Sequence, residues 1–468
     1  MPERPSAAPA PAGPPTAAVT GATASDGIVI THEDIDRARD RLAVERARRG
    51  GRFAWTRLLW LLVGPGILVM LGENDAPSML SYAATGARFG IGFFVPFIVV
   101  TFMMAYVVQE MTVRLGATTH RGHAELIFDR FGRFWGSFAM GDLVLGNFLT
   151  LITEFIGIRA GLGFFGVPPL VSVSAAVCIV MVSAMTSRYW TWERLTIGLA
   201  IFNGLFIPVA FLVHPAWGTV GRSLLTWSPL PGHLLSGGTL TILMADIGAT
   251  VTPWMLFFQQ GAVVDKGLQP RDVGSGRLDT VIGAVLASLF AVACVVATSP
   301  LHTHGINTGD YQAANFARAL LPYAGRVGAT LFALGVFEAG LVASITISTS
   351  SAYAFGEVAG SAHSLNRPLG EGRLFYAVLL ASAVSAGALV LIPHAPLEFV
   401  VLVVNVIAVL AMPPALIFLV LLVNDPELMG DQRSSLWSNV AVITTTVLLV
   451  AAGLLYGISV LFPKALGG

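Results

Sequence analysis

Long apolar stretches separated by short polar segments dominate the chain from Arg57 onward. Several of them hold about 18 or more nearly uncharged residues, enough to cross the roughly 30 Å hydrocarbon layer as a helix rising about 1.5 Å per residue. The pattern predicts eleven spans, at about 57 to 86, 92 to 114, 136 to 162, 168 to 186, 193 to 213, 237 to 264, 278 to 299, 327 to 356, 373 to 393, 397 to 422 and 437 to 461. We therefore expect an all-α polytopic membrane protein.

Two of these spans, the first and the sixth, carry polar residues and a proline at mid-membrane depth. The interruptions read GENDAPSM at Gly72 to Met79 and IGATVTPWM at Ile247 to Met255. Matching breaks in two five-span halves are typical of an inverted-repeat transporter, because unwound backbone is tolerated at that depth only where it lines a cavity or binds a ligand. We therefore expect the substrate site between the two breaks. The alternative for each span is an ordinary proline kink.

The interruptions and spans divide the chain into four parts: a tail at 1 to 56, a first repeat at 57 to 215, a second repeat at 236 to 422 and an additional span at 437 to 461. The tail begins Pro/Ala-rich, without the apolar stretch of a signal peptide, and is predicted to be disordered. Its second part, THEDIDRARDRLAVERARRGGR, predicts a short amphipathic cytoplasmic helix. Arginines concentrate in the tail and in alternate loops, which predicts a cytoplasmic N-terminus and an outside C-terminus.

Composition supports a membrane protein and excludes several other classes. Apolar residues make up 55% of the chain and charged residues 12%, and the mean hydropathy is +0.75. A formal net charge of zero offers no basic patch for nucleic acid. Cys178 and Cys294 lie in apolar runs without zinc-type spacing. The absence of a phosphate-binding glycine loop, an HExxH motif or a nucleophile elbow argues against an ATP-driven pump or an enzyme, and no cofactor is predicted.

The first break contains an acid where charge is costly. A carboxylate such as Asp75 near the bilayer centre costs about 2.5 to 3.5 kcal/mol unless it is compensated, and a cation would compensate it. The alternative is a salt bridge to Arg159, the only basic residue well inside a predicted span. Glu73, the Asn74 amide, the Ser78 hydroxyl and carbonyls freed by unwinding are further oxygen ligands.

The sixth span adds neutral oxygens: the carbonyl of Ala249 and the hydroxyls of Thr250 and Thr252. Sites built from oxygen suit Mg²⁺, Ca²⁺ and Mn²⁺ better than later transition metals. Asp246 before the break and Glu154 in the third span either line a pathway or accept hydrogen bonds between helices.

Other intramembrane polar residues are less specific. Asn405 in the tenth span could face the site from the opposite side, with an interhelical hydrogen bond as the alternative. Glu338 and Glu110 are expected nearer to span ends and in structural roles.

Three stretches resemble the NRAMP (natural resistance-associated macrophage protein) family of divalent metal transporters: GPGILVMLGENDAPS, DIGATVTPWMLFFQQGAVVDKG and FALGVFEAGLVASITISTSSAYAFGE. The resemblance implies a leucine-transporter-type 5+5 inverted repeat with discontinuous spans 1 and 6 and one further span. The family's first-span motif, Asp-Pro-Gly-Asn, corresponds to Asp75, Ala76, Pro77 and Ser78. It implies that the Asp75 carboxylate, the Ala76 carbonyl and Ser78 contact the metal.

In the sixth span the family pattern Ala-Thr-Val-Met-Pro-His corresponds to Ala249 through Trp254. Thr252 replaces the methionine, a soft ligand that favours manganese and iron, so the site becomes harder. Trp254 replaces a histidine tied to proton movement, and Leu151 aligns with an aspartate of the family's proton path, although Glu154 is kept. These departures resemble the NRAMP-related magnesium transporter branch, which implies a roomier site for a partly hydrated ion and no proton coupling.

The sequence thus predicts a divalent cation transporter working by alternating access, with Mg²⁺ favoured and Mn²⁺ as a second ion. The predicted metal ligands are Asp75, Ala76, Ser78, Ala249, Thr252 and Asn405, and the predicted pathway residues are Glu73, Glu154, Asp246 and Trp254. We expect a monomer in the lipid bilayer, in a bacterial inner membrane. The alternatives are a proton-coupled Mn²⁺/Fe²⁺ importer of ordinary NRAMP type, an amino acid transporter of the same fold, and a non-transporting sensor.

Overall fold

The computed structural model describes residues 64–186, 188–230, 237–306, 313–361, 363–395 and 397–461, and all regular elements in these ranges are helices. The predicted tail lies outside the described residues. The α-helices are α1 (Pro65–Glu73), α2 (Ala76–Phe89), α3 (Phe94–Thr119), α4 (His123–Gly163), α5 (Pro169–Ala184), α6 (Tyr189–Ala200), α7 (Phe206–Leu212), α8 (Trp217–Thr226), α9 (Gly237–Gly248), α10 (Pro253–Lys266), α11 (Val273–Thr303), α12 (Ala313–Ala319), α13 (Leu321–Val358), α14 (Arg373–Val390), α15 (Leu397–Asn424), α16 (Pro426–Met429) and α17 (Leu436–Leu461). Short 3₁₀ helices occupy Ile201–Leu205, Pro270–Asp272 and Gly430–Gln432.

The helices account for the predicted number of spans. In the part of the chain that is described, nine helical stretches are long and apolar enough to cross a membrane, and α5 is a shorter apolar helix of 16 residues. The divided segment formed by α1 and α2 supplies the remaining span. The prediction of about eleven membrane helices is therefore confirmed.

Both predicted interruptions are true breaks rather than kinks. Helix α1 ends at Glu73 and α2 begins at Ala76, while α9 ends at Gly248 and α10 begins at Pro253. Each second half has a proline in its first turn. Proline has no N–H to donate to the preceding turn but fits the first turn of a new helix, which explains why each segment restarts there.

Glycines allow the third and eighth spans to approach the first break closely. A Cβ atom at Gly157 in α4 would lie 2.1 Å from the Cβ of Ala76, and one at Gly340 in α13 would lie 2.8 Å from the Glu154 carbonyl oxygen. Small residues permit such close backbone contact between membrane helices. This packing sets Glu154 against the start of α2.

Two local features were not predicted. Helix α4 begins at His123 rather than near residue 136, and it contains a non-helical glycine, Gly132, at φ 83°. The fifth span is interrupted by the 3₁₀ segment Ile201–Leu205, whose Asn203 side chain donates a 3.3 Å hydrogen bond to the Leu71 carbonyl. The fifth span therefore supports α1 just before its break.

Candidate functional site

The first break is held in shape by buried side chains. Asp75 caps α2: its Oδ1 accepts a hydrogen bond from the Ser78 N–H at 2.8 Å. The Ala76 N–H donates to Glu154 Oε2 at 3.0 Å, and Asn74 Nδ2 donates to the Ala287 carbonyl at 2.9 Å. The backbone N–H groups in the first turn of α2 therefore hold the carboxylates of Asp75 and Glu154 at the start of this helix.

The second break is joined directly to the first. Thr252 Oγ1 donates to Glu73 Oε2 at 2.9 Å, and the Tyr82 hydroxyl donates to the Ala249 carbonyl at 3.0 Å. The Thr250 hydroxyl instead donates within its own segment, to the Ile247 carbonyl at 3.0 Å. Of the predicted oxygen ligands in this break, Ala249 and Thr252 thus face the first break.

Three buried acceptor oxygens around the first break have no hydrogen-bond donor. They are Glu73 Oε1, Asn74 Oδ1 and Glu154 Oε1, and the three residues are each 0% exposed. Buried oxygens of this kind are rarely left unpaired in folded proteins. The region therefore concentrates oxygen lone pairs away from water.

The predicted alternative, a salt bridge between Asp75 and Arg159, is not present. Arg159 Nη1 instead donates to the Val390 carbonyl at 2.7 Å, and none of the described ion pairs includes Asp75. Asp75 is 2% exposed. Its charge is thus not balanced by a basic side chain among the described residues.

Asn405 lies against both breaks. Its Nδ2 donates a long hydrogen bond of 3.4 Å to the Pro77 carbonyl in α2. A Cβ atom at Gly248, the last residue of α9, would lie 2.1 Å from the Asn405 carbonyl oxygen. The tenth span therefore lies against both breaks, and the Asn405 side chain makes the interhelical hydrogen bond that was the alternative to a role in the site.

The predicted pathway residues occupy different sides of the gap. Asp246 accepts hydrogen bonds from Ser81 Oγ at 3.0 Å and Thr85 Oγ1 at 2.8 Å, which ties α9 to α2. Trp254 packs its ring on Phe258 and leaves its buried indole N–H without an acceptor. A cavity of about 10 Å³, just large enough for one water, lies beside Trp254.

The site is not a cage of acids and imidazoles. Within the described ranges, no group of three or more His, Cys, Asp or Glu side chains is arranged to hold a metal ion. The acids at the first break are accompanied by neutral oxygens of Ala249 and Thr252 from the second break. Such a donor set suits a hard cation that keeps part of its water shell.

A second set of buried charges, which the sequence reasoning missed, lies at the opposite ends of the two half-helices. Lys266 Nζ at the end of α10 pairs with Glu193 Oε2 at 2.7 Å, with both side chains 2% exposed or less. Asp279 accepts hydrogen bonds from the N–H groups of Gly66 at 2.7 Å and Ile67 at 3.2 Å. The sequence did show a charged residue at the start of the fifth predicted span, Glu193, and of the seventh, Asp279. Charged residues are equally common at exposed helix ends, so their burial could not be predicted.

The two glutamates expected near span ends have different surroundings. Glu110 pairs with Arg114 at 3.2 Å and with Arg277 at 2.7 Å. Glu338 lies in the interior of α13 rather than near an end, is 5% exposed, and has no partner for either carboxylate oxygen. The placement expected for Glu338 was wrong, because α13 runs from Leu321 to Val358 and Glu338 lies in its interior.

Comparison with known proteins identifies the family. The family model "Natural resistance-associated macrophage protein-like" matches residues 66–459. The divalent metal cation transporter MntH of Brucella suis is 28% identical over 319 residues, which cover 64% of this chain and 66% of that protein, just under two thirds of its length.

Solved structures show the same fold. The Eremococcus coleocola manganese transporter superposes with a TM-score of 0.71 at 21% identity, covering 88% of this chain and 87% of that one. MhsT in complex with L-phenylalanine superposes with a TM-score of 0.55 at 15% identity, covering 84% and 98%. The leucine-transporter-type 5+5 inverted repeat with discontinuous spans 1 and 6 is therefore confirmed.

Proposed function

The chain belongs to the natural resistance-associated macrophage protein-like family, and on that premise we propose that it carries a divalent metal cation across the membrane by alternating access. Mg²⁺ is the favoured ion, Mn²⁺ is a second one, and transport is not coupled to protons. The observation that carries this proposal is the set of unpaired acceptor oxygens on Glu73, Asn74 and Glu154 around Asp75.

A cation accounts for these oxygens better than any other ligand class. Buried carboxylates without a basic partner are costly, and a divalent ion supplies both the charge and the electron-pair acceptor that they lack. An amino acid substrate would need free backbone amides for its carboxylate. Here the amides of Ala76 and Ser78 at the start of α2 are already taken by Glu154 and Asp75.

The ligands in the proposal come from both breaks. The Asp75 carboxylate supplies charge, and the Ala76 carbonyl, Ser78, the Ala249 carbonyl and Thr252 supply neutral oxygens, directly or through water. The Ala249 carbonyl accepts from Tyr82 but keeps a second lone pair. Asn405 closes the site from the tenth span.

The character of the oxygens supports Mg²⁺. Mg²⁺ prefers octahedral oxygen at about 2.0 to 2.1 Å and commonly keeps several waters. Thr252 contributes a hydroxyl where the family pattern has a thioether. Asp75 and Thr252, the charged and the neutral member of this set, are both almost fully buried, at 2% and 4% exposure.

Two residues support uncoupled transport. Trp254 cannot titrate, and its ring is enclosed at 1% exposure. Leu151 occupies the position of the family's proton-path aspartate and is also buried at 1%. An inside-negative membrane potential, worth about 2.3 kcal/mol per charge per 100 mV, would draw a divalent ion inward without protons.

Alternating access requires that the contacts on the two sides of the breaks open in turn. On one side, the Lys266–Glu193 pair and Asp279 hold the far ends of α10 and α1. On the other side, Asp246 ties α9 to α2 through Ser81. Rocking of the two broken spans against the remaining helices would break one set while the other stays formed.

A second candidate, a proton-coupled Mn²⁺ importer, is favoured by two observations. Glu154, which can carry a proton, lies beside the first break and has one free oxygen. The Met255 thioether accepts the Thr252 N–H at 3.5 Å, so a soft sulfur lies near the second break. The MntH and Eremococcus coleocola relatives are named as divalent metal and manganese transporters.

Uptake by the purified protein in liposomes, with Mg²⁺ or Mn²⁺ outside and a pH indicator inside, separates the two candidates. The proposal expects Mg²⁺ entry that responds to membrane potential and causes no acidification. Mn²⁺ entry with acidification and without Mg²⁺ flux would establish the second candidate. Absence of flux for either ion, from protein that still binds metal, would favour a sensor.

A further inference from the structure

An open cleft lies away from the broken helices, where α3, the start of α11 and the start of α17 meet. Its volume is about 550 Å³, and its polar lining includes Tyr106, Arg114, Arg277, Arg433 and Trp437. The distribution of arginines along the chain predicts that this end of the bundle is cytoplasmic. The cleft thus faces the level of the inner headgroups.

The lining carries an excess of positive charge. Three arginines face two acids, Glu110 and Asp431, which leaves one positive charge in excess. Glu110 is shared between Arg114 and Arg277. Arg433 is exposed and forms no ion pair within the described ranges.

Arg114 is a buried donor that is not fully used. Its side chain is 4% exposed, and its Nη1 holds the α16–α17 connection by donating to the carbonyls of Gln432 at 3.4 Å and Arg433 at 3.1 Å. Its Nε–H has no acceptor. The Arg114 guanidinium therefore places a fixed positive charge behind the wall of the cleft, which favours an anion in front of it.

We propose that this cleft binds the phosphate headgroup of an anionic phospholipid from the cytoplasmic leaflet. Basic pockets between membrane helices on this side are suited to such headgroups. Arg433 and the outer face of Arg277 contact the phosphate first, and Ser435 and Ser438 at the start of α17 add hydroxyls and the positive end of the helix dipole.

The surroundings of the cleft favour a lipid over a soluble phosphate. The first turns of α17 expose apolar side chains beside the cleft: Leu436 is 74% exposed, Trp437 81% and Val440 47%. Exposed apolar residues on a membrane helix face acyl chains, and tryptophan concentrates at the headgroup level. A phosphate in the cleft would therefore have its chains lying along α17.

The bound lipid would add to the polar contacts that Arg114 and Glu110 of α3 already make with the α17 connection and with Arg277. Helix α17 is the span outside the two repeats, whereas α3 and α11 belong to one repeat each. The headgroup would link all three through Arg433, Arg277 and the α17 start. This role is independent of the proposed transport, because none of these residues lies in a break.

The test uses the full chain in a neutral detergent and counts retained lipids by native mass spectrometry. Phosphatidylglycerol and phosphatidylcholine are added in equal amounts, and glycerol phosphate is added in a separate sample. We expect the protein to retain phosphatidylglycerol preferentially, and Arg433→Gln to lower that retention about fivefold, the effect of one arginine at an anionic headgroup. Arg133→Gln, which changes an exposed arginine in α4 outside the cleft, should leave it unchanged.

Equal retention of the two lipids, or unchanged phosphatidylglycerol binding in Arg433→Gln, would overturn the proposal. Competition by glycerol phosphate at similar concentration would show that a soluble phosphate is the ligand and would also overturn it. Asp75→Ala should retain the lipid normally, so failure of the transport proposal and failure of this one give different results.

Discussion

The two broken spans share a geometry but differ in chemistry. Both have helix ends at mid-span and a proline in the first turn of the second half. The first break has two acids and an amide in consecutive positions, Glu73 to Asp75, whereas the second, Ala249 to Thr252, contains no charged residue. Under the proposed function, this difference divides the roles: the first break would supply charge for a cation, and the second would supply neutral oxygens that set which cation fits.

The two broken spans also differ in how their far ends are anchored. A variant that disrupts this anchoring should give the largest effect, a loss of protein stability. The far end of α10 is held by the buried Lys266–Glu193 pair, whereas the far end of α1 is held by its backbone N–H groups, which donate to the Asp279 carboxylate. Lys266→Met leaves a buried carboxylate uncompensated and should destabilise the protein by about 3 kcal/mol. Thermal unfolding in detergent measures this change. The double variant Lys266→Met with Glu193→Met should recover most of the loss, and no recovery would show that Lys266 acts by another contact.

Removing the charge of the first break should affect transport next most strongly. Asp75→Asn keeps the size of the side chain but removes its charge, so we expect Mg²⁺ uptake into proteoliposomes to fall about 100-fold. Asp129→Asn, which changes an exposed acid elsewhere in the chain, is the matched control. Uptake within about threefold of the unmodified protein would mean that Asp75 is not a metal ligand.

A change in the second break should alter ion preference rather than abolish flux. Thr252→Met introduces a soft thioether, and we expect the ratio of Mg²⁺ to Mn²⁺ uptake to shift about tenfold toward Mn²⁺. Thr252→Ala controls for loss of the hydrogen bond to Glu73, since it removes the hydroxyl without adding sulfur. An equal shift in both variants would show that the hydroxyl, not the sulfur, matters.

The smallest effect is expected from Asn405, whose hydrogen bond to the Pro77 carbonyl is long at 3.4 Å. Asn405→Ala should lower Mg²⁺ uptake about threefold, the range of a single weak hydrogen bond. Asn424→Ala is the matched control. Asn424 lies at the other end of the same helix, where it exchanges hydrogen bonds with Asn439 of α17 and contacts neither break. Equal losses in both variants would indicate a packing defect.

The sequence predicted the breaks well because they depend on local chemistry. Proline and charge at mid-span leave few structural options, so Asp75 and Thr252 could be placed in the breaks from their neighbours alone. That Asn405 lies against both breaks could be only suggested, since its proximity depends on how the tenth span packs. The roles of these residues in binding metal stay predictions.

Tertiary packing explains what the sequence did not reveal. Glu193 and Asp279 resemble ordinary charged helix ends until Lys266 and the α1 amides are brought against them. The donor-free oxygens of Glu73 and Glu154 depend on which donors the fold leaves nearby. Glu338 was expected to be a structural residue near a span end, but it lies in the interior of α13 with neither carboxylate oxygen paired.

The most direct test of the central claim is the position of a bound ion in a crystal of the protein soaked with Mn²⁺, located by its anomalous scattering. We predict one strong peak between the breaks, within ligand distance of Asp75 and Thr252 oxygens, directly or through one water. A peak confined to Asp246 or Glu338, with none at Asp75, would contradict the account that the two breaks together form the metal site.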